Sequence, residues 1–153
     1  MSEIEWTDDT INPVGGCEHA SPGCLHCYAE VDARGLTKRA GEAIRRRYLP
    51  LIGPAGRWAR GEDGKPVFAI WPSVVRKMID ASGRVRQGDG FRRKRWFLGS
   101  MADLFHPGRP AEDVQVVLGA LTANLHRPIW QLVTKHPARA VEMLELQAAD
   151  TVR

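Results

Sequence analysis

The chain has no long hydrophobic run. No stretch of its 153 residues approaches the roughly 18 consecutive apolar residues of a membrane span. The segment Met1-Ser2-Glu3-Ile4-Glu5-Trp6 is acidic and has no apolar core, which predicts no signal peptide and a cytoplasmic protein. There is no glycine-rich phosphate loop, no dinucleotide fingerprint and no HExxH helix, and nothing supports serine-hydrolase chemistry. Internal repeats and low-complexity tracts are also absent. Cysteine is scarce: Cys17, Cys24 and Cys27 are the only three, and they fall within eleven residues. An odd, clustered set argues against a disulfide framework and points to metal or redox chemistry in a reducing compartment.

Positive charge is missing from the first 33 residues, which hold seven acids and no Lys or Arg. Residues 34–95 reverse this, with seventeen of the 22 Lys and Arg against five acids. A basic middle suits phosphates, although a solvated face accounts for the same charges. The length fits one domain over residues 1–153, with a loop-rich basic insertion at about 50–66 marked by Pro50, Gly53-Pro54, Gly56, Gly61, Gly64 and Pro66.

Residues 7–16 read as an extended stretch running into the Gly15-Gly16 loop. Ser21-Pro22 predicts a helix start, with Ser21 as cap, continuing through Cys24 and Cys27 towards Leu36 and Ala43. Val67–Trp71, Trp96–Met101 and Ile129–Thr134 are apolar runs of strand length. A short helix follows a Ser73 cap, and residues 82–90 read as loop. Pro110 opens a helix carrying Val114, Val117, Leu118, Leu121 and Leu125 on one face, and Pro137 opens another with Ala140, Val141, Leu144 and Leu146. Alternating strands and helices with short connections predict an α/β fold of parallel βα units. Active sites of such folds lie at the carboxyl ends of the strands. Three segments fall there: the cysteine loop, Ser100–His106 and Thr134–His136. Too few strands are present for a closed barrel, so an open half-barrel or a C-terminally truncated one is expected.

Six residues separate Cys17 from Cys24, and two separate Cys24 from Cys27. Thiolates are soft ligands that suit iron–sulfur clusters and zinc. Three of them leave a [4Fe–4S] cluster with one iron free for an external ligand. With His19 or His26 as a fourth ligand, the same residues suit a closed zinc site. Three ordinary cysteines are the remaining alternative.

Several of these segments match a known pattern together. Ile4-Glu5-Trp6-Thr7-Asp8, Asn12-Pro13-Val14 with Gly16-Cys17, Ser21-Pro22-Gly23-Cys24, Cys27-Tyr28-Ala29-Glu30, Ser100-Met101 with Asp103-Leu104-Phe105-His106, and Thr134-Lys135 with Pro137 occur in that order. In this the chain resembles the phage Gp37/Gp68 family, a three-cysteine group related to radical S-adenosylmethionine (SAM) proteins and found in phages and bacteria. The resemblance runs from residue 4 to about 143. It implies a partial TIM-like barrel, a cluster on Cys17, Cys24 and Cys27, and SAM on the open iron. It departs from the usual radical SAM spacing, which has three residues between the first two cysteines. Ile11 and His136 stand where the family commonly has Trp and Arg.

Other residues follow as expectations. Tyr28 is expected over the cluster, and Glu30 on the amino group of SAM. Ser100 and Asp103 end an apolar strand and are candidates for cofactor contact. Lys135 suits a carboxylate or phosphate of a substrate, with Thr134 and His106 beside it. A solvated or packing role is the alternative for each. Trp58, between Arg57 and Arg60, has the chemistry to stack on a base. Two functions are consistent with all this. One is a radical SAM-like enzyme of phage or prophage type acting on an unknown substrate, with a nucleotide or nucleic acid suggested by the basic middle and a partner protein completing the site. The other is a zinc-stabilised nucleic-acid-binding module without catalysis.

Overall fold

The computed structural model describes residues 4–151. In chain order the elements are β1 (Asp9–Ile11), β2 (Val14–Gly15), α1 (Tyr28–Arg39), α2 (Glu42–Tyr48), β3 (Ala69–Ile70), α3 (Pro72–Ile79), β4 (Arg84–Gln87), β5 (Gly90–Arg93), β6 (Arg95–Leu98), α4 (Ala111–Ala123), β7 (Ile129–Leu132) and α5 (Pro137–Thr151). Short 3-10 turns occupy Pro22–His26 and Leu49–Leu51.

The central sheet has the order β1-β6-β7 and is parallel throughout. Ile11 lies opposite Leu98, and Leu98 opposite Leu132, so the three strands end level with one another. Parallel neighbours need a long crossover, and α4 supplies it between β6 and β7. Pro110 stands just before α4, and Glu112 and Asp113 favour its positive N-terminal end. Val114, Val117 and Leu118 then face the core with Leu98, Leu104, Phe105 and Met143. Asn124 ends the helix and donates to the carbonyls of Met78 and Ala81, which ties α4 to α3. A second cluster, Ala29, Ala33, Tyr48, Leu51, Trp58 and Met101, packs under α1 and α2, with Cys17 and Cys27 against it.

Several sequence expectations change. The helix expected from Pro22 is broken: a 3-10 turn stops at His26, Cys27 is extended, and α1 begins only at Tyr28. Ser21 makes no cap bond with its side chain. Val67–Trp71 contributes only the two residues of β3, which pair antiparallel with β2 outside the main sheet. Residues 82–90, read as loop, hold β4 and the turn of a β4–β5 hairpin. Its residues are mostly charged, so no apolar alternation marks it. Trp71, not Ser73, caps α3. On α5 the inward stripe is Ala140 and Met143, leaving Val141, Leu144 and Leu146 exposed, and Leu125 lies past the end of α4, 90% exposed. Among the described residues no helix is long and apolar enough to cross a membrane.

Asp8 locks the start of the sheet. Its Oδ2 accepts from the Arg92 guanidinium at 2.7 Å and from the Arg95 backbone N–H at 2.7 Å. The Arg92 hydrogen bond holds the Asp8 carboxyl well below the usual carboxylate range. A depressed folded-state value adds stability that is present above the unfolded value and lost as pH falls through the folded one. Asp8→Asn is therefore expected to lose about 1–3 kcal/mol at neutral pH. The gap from the parent should close on acidification below about pH 4. Urea unfolding across that range checks it, and a gap independent of pH would refute it.

Candidate functional site

The level ends of β1, β6 and β7 deliver three loops to one place. They enclose a cavity of about 170 Å³. Its wall includes Cys17, Cys24, Cys27, Tyr28, Ser100, Asp103, Thr134 and Lys135, with Phe97, Met101 and Trp58 as apolar lining. Residues as far apart in the sequence as Cys17 and His136 thus line one space.

The approach to Cys17 is built by glycine and arginine. Gly16 has φ +82°, and a Cβ there would lie 2.0 Å from the Val67 carbonyl oxygen. Only glycine fits both demands. Arg109 is 1% exposed and reaches under this loop. Its Nη2 donates to the carbonyls of Gly15 at 3.0 Å and Gly16 at 3.2 Å, and its Nη1 to that of Ala69 at 3.2 Å. Phe68 covers the guanidinium face, 4.7 Å away. Burial pulls Arg109 down to about 10, which leaves it charged at neutral pH. Sequence reasoning missed this residue, because one arginine in a Pro-Gly-Arg-Pro turn looks like loop. Burial pushes the Cys17 thiol up.

Cys24 has the opposite environment. Lys135 Nζ donates to its sulfur at 2.9 Å and to Ser21 Oγ at 2.8 Å. The Lys135 ammonium pulls the Cys24 thiol down to about 6, into the thiolate range at neutral pH. Cys27 is the N-cap residue of α1, where the helix end favours an anion.

Lys135 is itself held by Asp103. The Asp103 carboxylate accepts from the Thr134 hydroxyl at 2.8 and 3.0 Å, from the Lys135 backbone N–H at 2.8 Å and from the Phe105 N–H at 3.0 Å. One carboxylate therefore staples the loop after β6 to the loop after β7. Asp103→Ala leaves three donors without their acceptor and is expected to cost about 2–4 kcal/mol. The control Thr134→Val removes one donor and should cost less. Chemical denaturation compares them; equal losses would refute the staple.

Ser100 turns its hydroxyl to Asn12 Oδ1 at 3.1 Å, which also accepts the Met101 N–H at 3.2 Å. The Tyr28 hydroxyl donates to the Ser100 carbonyl at 2.5 Å. Tyr28 thus bridges α1 to the β6 loop across the cavity rim. Asn12 is a positioning residue that only the structure reveals.

Two candidates lie elsewhere. Glu30 is 4% exposed, and its carboxylate accepts from the Trp58 N–H at 2.7 Å and Arg57 at 2.9 Å. It anchors the 57–58 loop and does not line the cysteine cavity. His106 is buried beside Phe68, with Nδ1 accepting the Gly108 N–H at 3.0 Å. Burial lowers its basicity. His136, not His106, reaches the cavity wall. Trp58 is buried in the second core cluster, and it lines the cysteine cavity rather than standing on the open surface.

Among the described residues, no three His, Cys, Asp or Glu side chains sit close enough to hold one metal ion. Tetrahedral zinc requires its sulfurs about 2.3 Å from a single centre. His19 points to Glu30, 3.4 Å away, and His26 is exposed. A four-iron cluster is a larger body whose irons take separate thiolates. Three sulfurs around one partly apolar cavity, one already stabilised as an anion, are a donor set that fits it.

The chain belongs to the family described as Protein of unknown function (DUF5131), whose model matches residues 1–152. No curated protein and no solved structure matches it.

Proposed function

We propose that the chain is a radical SAM-like iron–sulfur enzyme, with Cys17, Cys24 and Cys27 as ligands of a [4Fe–4S] cluster and SAM as the small-molecule cofactor. The observation that carries this is the convergence of all three cysteines on one cavity at the carboxyl ends of three parallel strands. Those three residues would hold the cluster with one iron free of protein; once reduced by an external electron donor, it would supply the electron for reductive cleavage of SAM, the chemistry that gives a radical able to abstract hydrogen from a substrate.

The chain's own residues prepare that site. Arg109 fixes the Gly15-Gly16 approach and so the position of Cys17. Lys135 keeps Cys24 anionic and ready to bind metal. Tyr28, Phe97, Met101 and Trp58 form a wall that limits water. The Ser100 backbone carbonyl and the polar ends of Thr134 and Lys135 remain at the mouth, where a polar cofactor or substrate is held. On this reading the three-stranded sheet is part of a TIM-like barrel, a partner protein completes the cavity, and the free thiols belong to a reducing cytoplasm. The basic middle suggests a nucleotide or nucleic-acid substrate.

Anaerobic purification with iron and sulfide analysis tests it. The expected result is a brown protein with about four irons per chain that releases 5′-deoxyadenosine from SAM under reduction. A colourless protein carrying a single zinc would overturn it and favour a zinc-stabilised nucleic-acid-binding module.

A further inference from the structure

The β4–β5 hairpin has two unlike faces. Its register pairs Arg84 with Arg93, Val85 with Arg92, and Arg86 with Phe91. Alternation along each strand puts Arg84, Arg86, Phe91 and Arg93 on one face. Val85, Arg92 and Gln87 take the other. The inner face is anchored: Arg92 reaches Asp8, and the base is clamped by the Lys94 N–H to Gly83 carbonyl bond of 2.9 Å and by Trp96 Nε1 to Ser82 at 3.0 Å. Gly83 packs so tightly that a Cβ would lie 1.8 Å from the His126 carbonyl oxygen.

The outer face is presented to solvent. Arg84, Arg86 and Arg93 are exposed, and Phe91 is 71% exposed. Like charges directly opposite each other destabilise a ribbon, yet Arg84 faces Arg93. Arg93 also donates to the carbonyls of Arg127 and Pro128, which brings exposed Arg127 to the same edge. The only acid on the hairpin, Asp89, is in its turn. Phe91 stands opposite Arg86 with most of its ring open to solvent, an apolar surface that the ribbon leaves uncovered.

We infer that this face is a docking surface for single-stranded nucleic acid, with the arginines on phosphates and Phe91 stacked on an unpaired base. Charge complementarity selects a polyanion. The exposed ring selects an unpaired base, because a duplex hides its base faces. The surface lies at the start of β6, at the opposite end of the sheet from the cysteine cavity. It stands independently of the cluster reading.

Fluorescence anisotropy of the anaerobically isolated protein with labelled single-stranded oligothymidylate tests this. Binding is expected to weaken steeply between about 50 and 200 mM salt. Phe91→Ala should lower affinity by roughly tenfold or more. The double variant Arg84→Gln/Arg86→Gln should reduce the salt slope by about 1.4. Both changes are on the solvent face, so an unchanged circular dichroism melt verifies folding. Absence of binding at low salt, equal affinity in the variants, tighter binding of duplex, or a preference for anionic phospholipid vesicles would each overturn the inference. Iron content, measured on the same sample, reports separately on the cysteine site.

Discussion

Anaerobically prepared Cys24→Ala is expected to emerge colourless, with fewer than about one iron per chain where the parent carries about four. A cluster on three thiolates has no spare ligand, so losing one removes the whole group rather than a quarter of it. Cys24 is the sharpest of the three positions to test. Its sulfur touches Lys135 and Ser21, and the residue, though buried, belongs to neither core cluster, so its loss perturbs the metal site more than the fold. Melting of the metal-free variant should fall within about 1–2 kcal/mol of the metal-free parent. Iron retained at the parental level would sink the assignment of Cys24 as a ligand. Lys135→Met gives a graded comparison. It removes the ammonium without removing a ligand, so cluster assembly should slow while the final iron content is kept.

Arg109→Met is expected to cost about 3–5 kcal/mol of folding free energy. This fully buried cation gathers three carbonyls, those of Gly15, Gly16 and Ala69, that belong to β2, β3 and the start of the cysteine loop. Methionine fills most of the volume and satisfies none of the carbonyls. Buried acceptors stripped of a charged donor carry the full cost of their lost hydration. Asp113 would also lose its cation 3.9 Å away, leaving a half-buried carboxylate uncompensated. Arg109→Lys keeps the charge but has no planar fork for three acceptors, and an intermediate loss is expected. Guanidinium unfolding measures both. A loss below about 1 kcal/mol for Arg109→Met would show that the Gly15-Gly16 loop is held by other means, with Phe68 and Val67 as the remaining contacts.

Much of the architecture was readable from local pattern. Trp96-Phe97-Leu98 and Ile129-Trp130-Gln131-Leu132 were strands in both readings, since short apolar runs bounded by turn residues bury best in a parallel sheet. The helix after Pro110 was readable for the same reason, as Val114, Val117 and Leu118 recur at helical spacing. The hairpin at 84–93 was not. It buries little apolar surface, and it is anchored through Arg92 on Asp8 and through Gly83 against His126, partners that sit elsewhere in the chain. The run through Cys24 and Cys27 suggested one helix, yet the chain breaks at Cys27, where packing against the second core cluster takes precedence over local periodicity.

By itself the sequence determined the longer strands and helices of the main sheet and the chemistry at issue: three thiols in eleven residues, alternating βα units and a basic middle segment. These are local properties, written in residue type and spacing. Tertiary structure alone decided which groups meet. It placed Lys135 on Cys24, drew Asp103 across to Thr134, buried Arg109 under Gly16 and turned Glu30 away to Trp58. Each of those pairs is separated by at least 28 residues, and no spacing rule reaches that far. Such contacts exist because level strand ends bring distant loops together, and buried polar groups there must find partners wherever the fold supplies them.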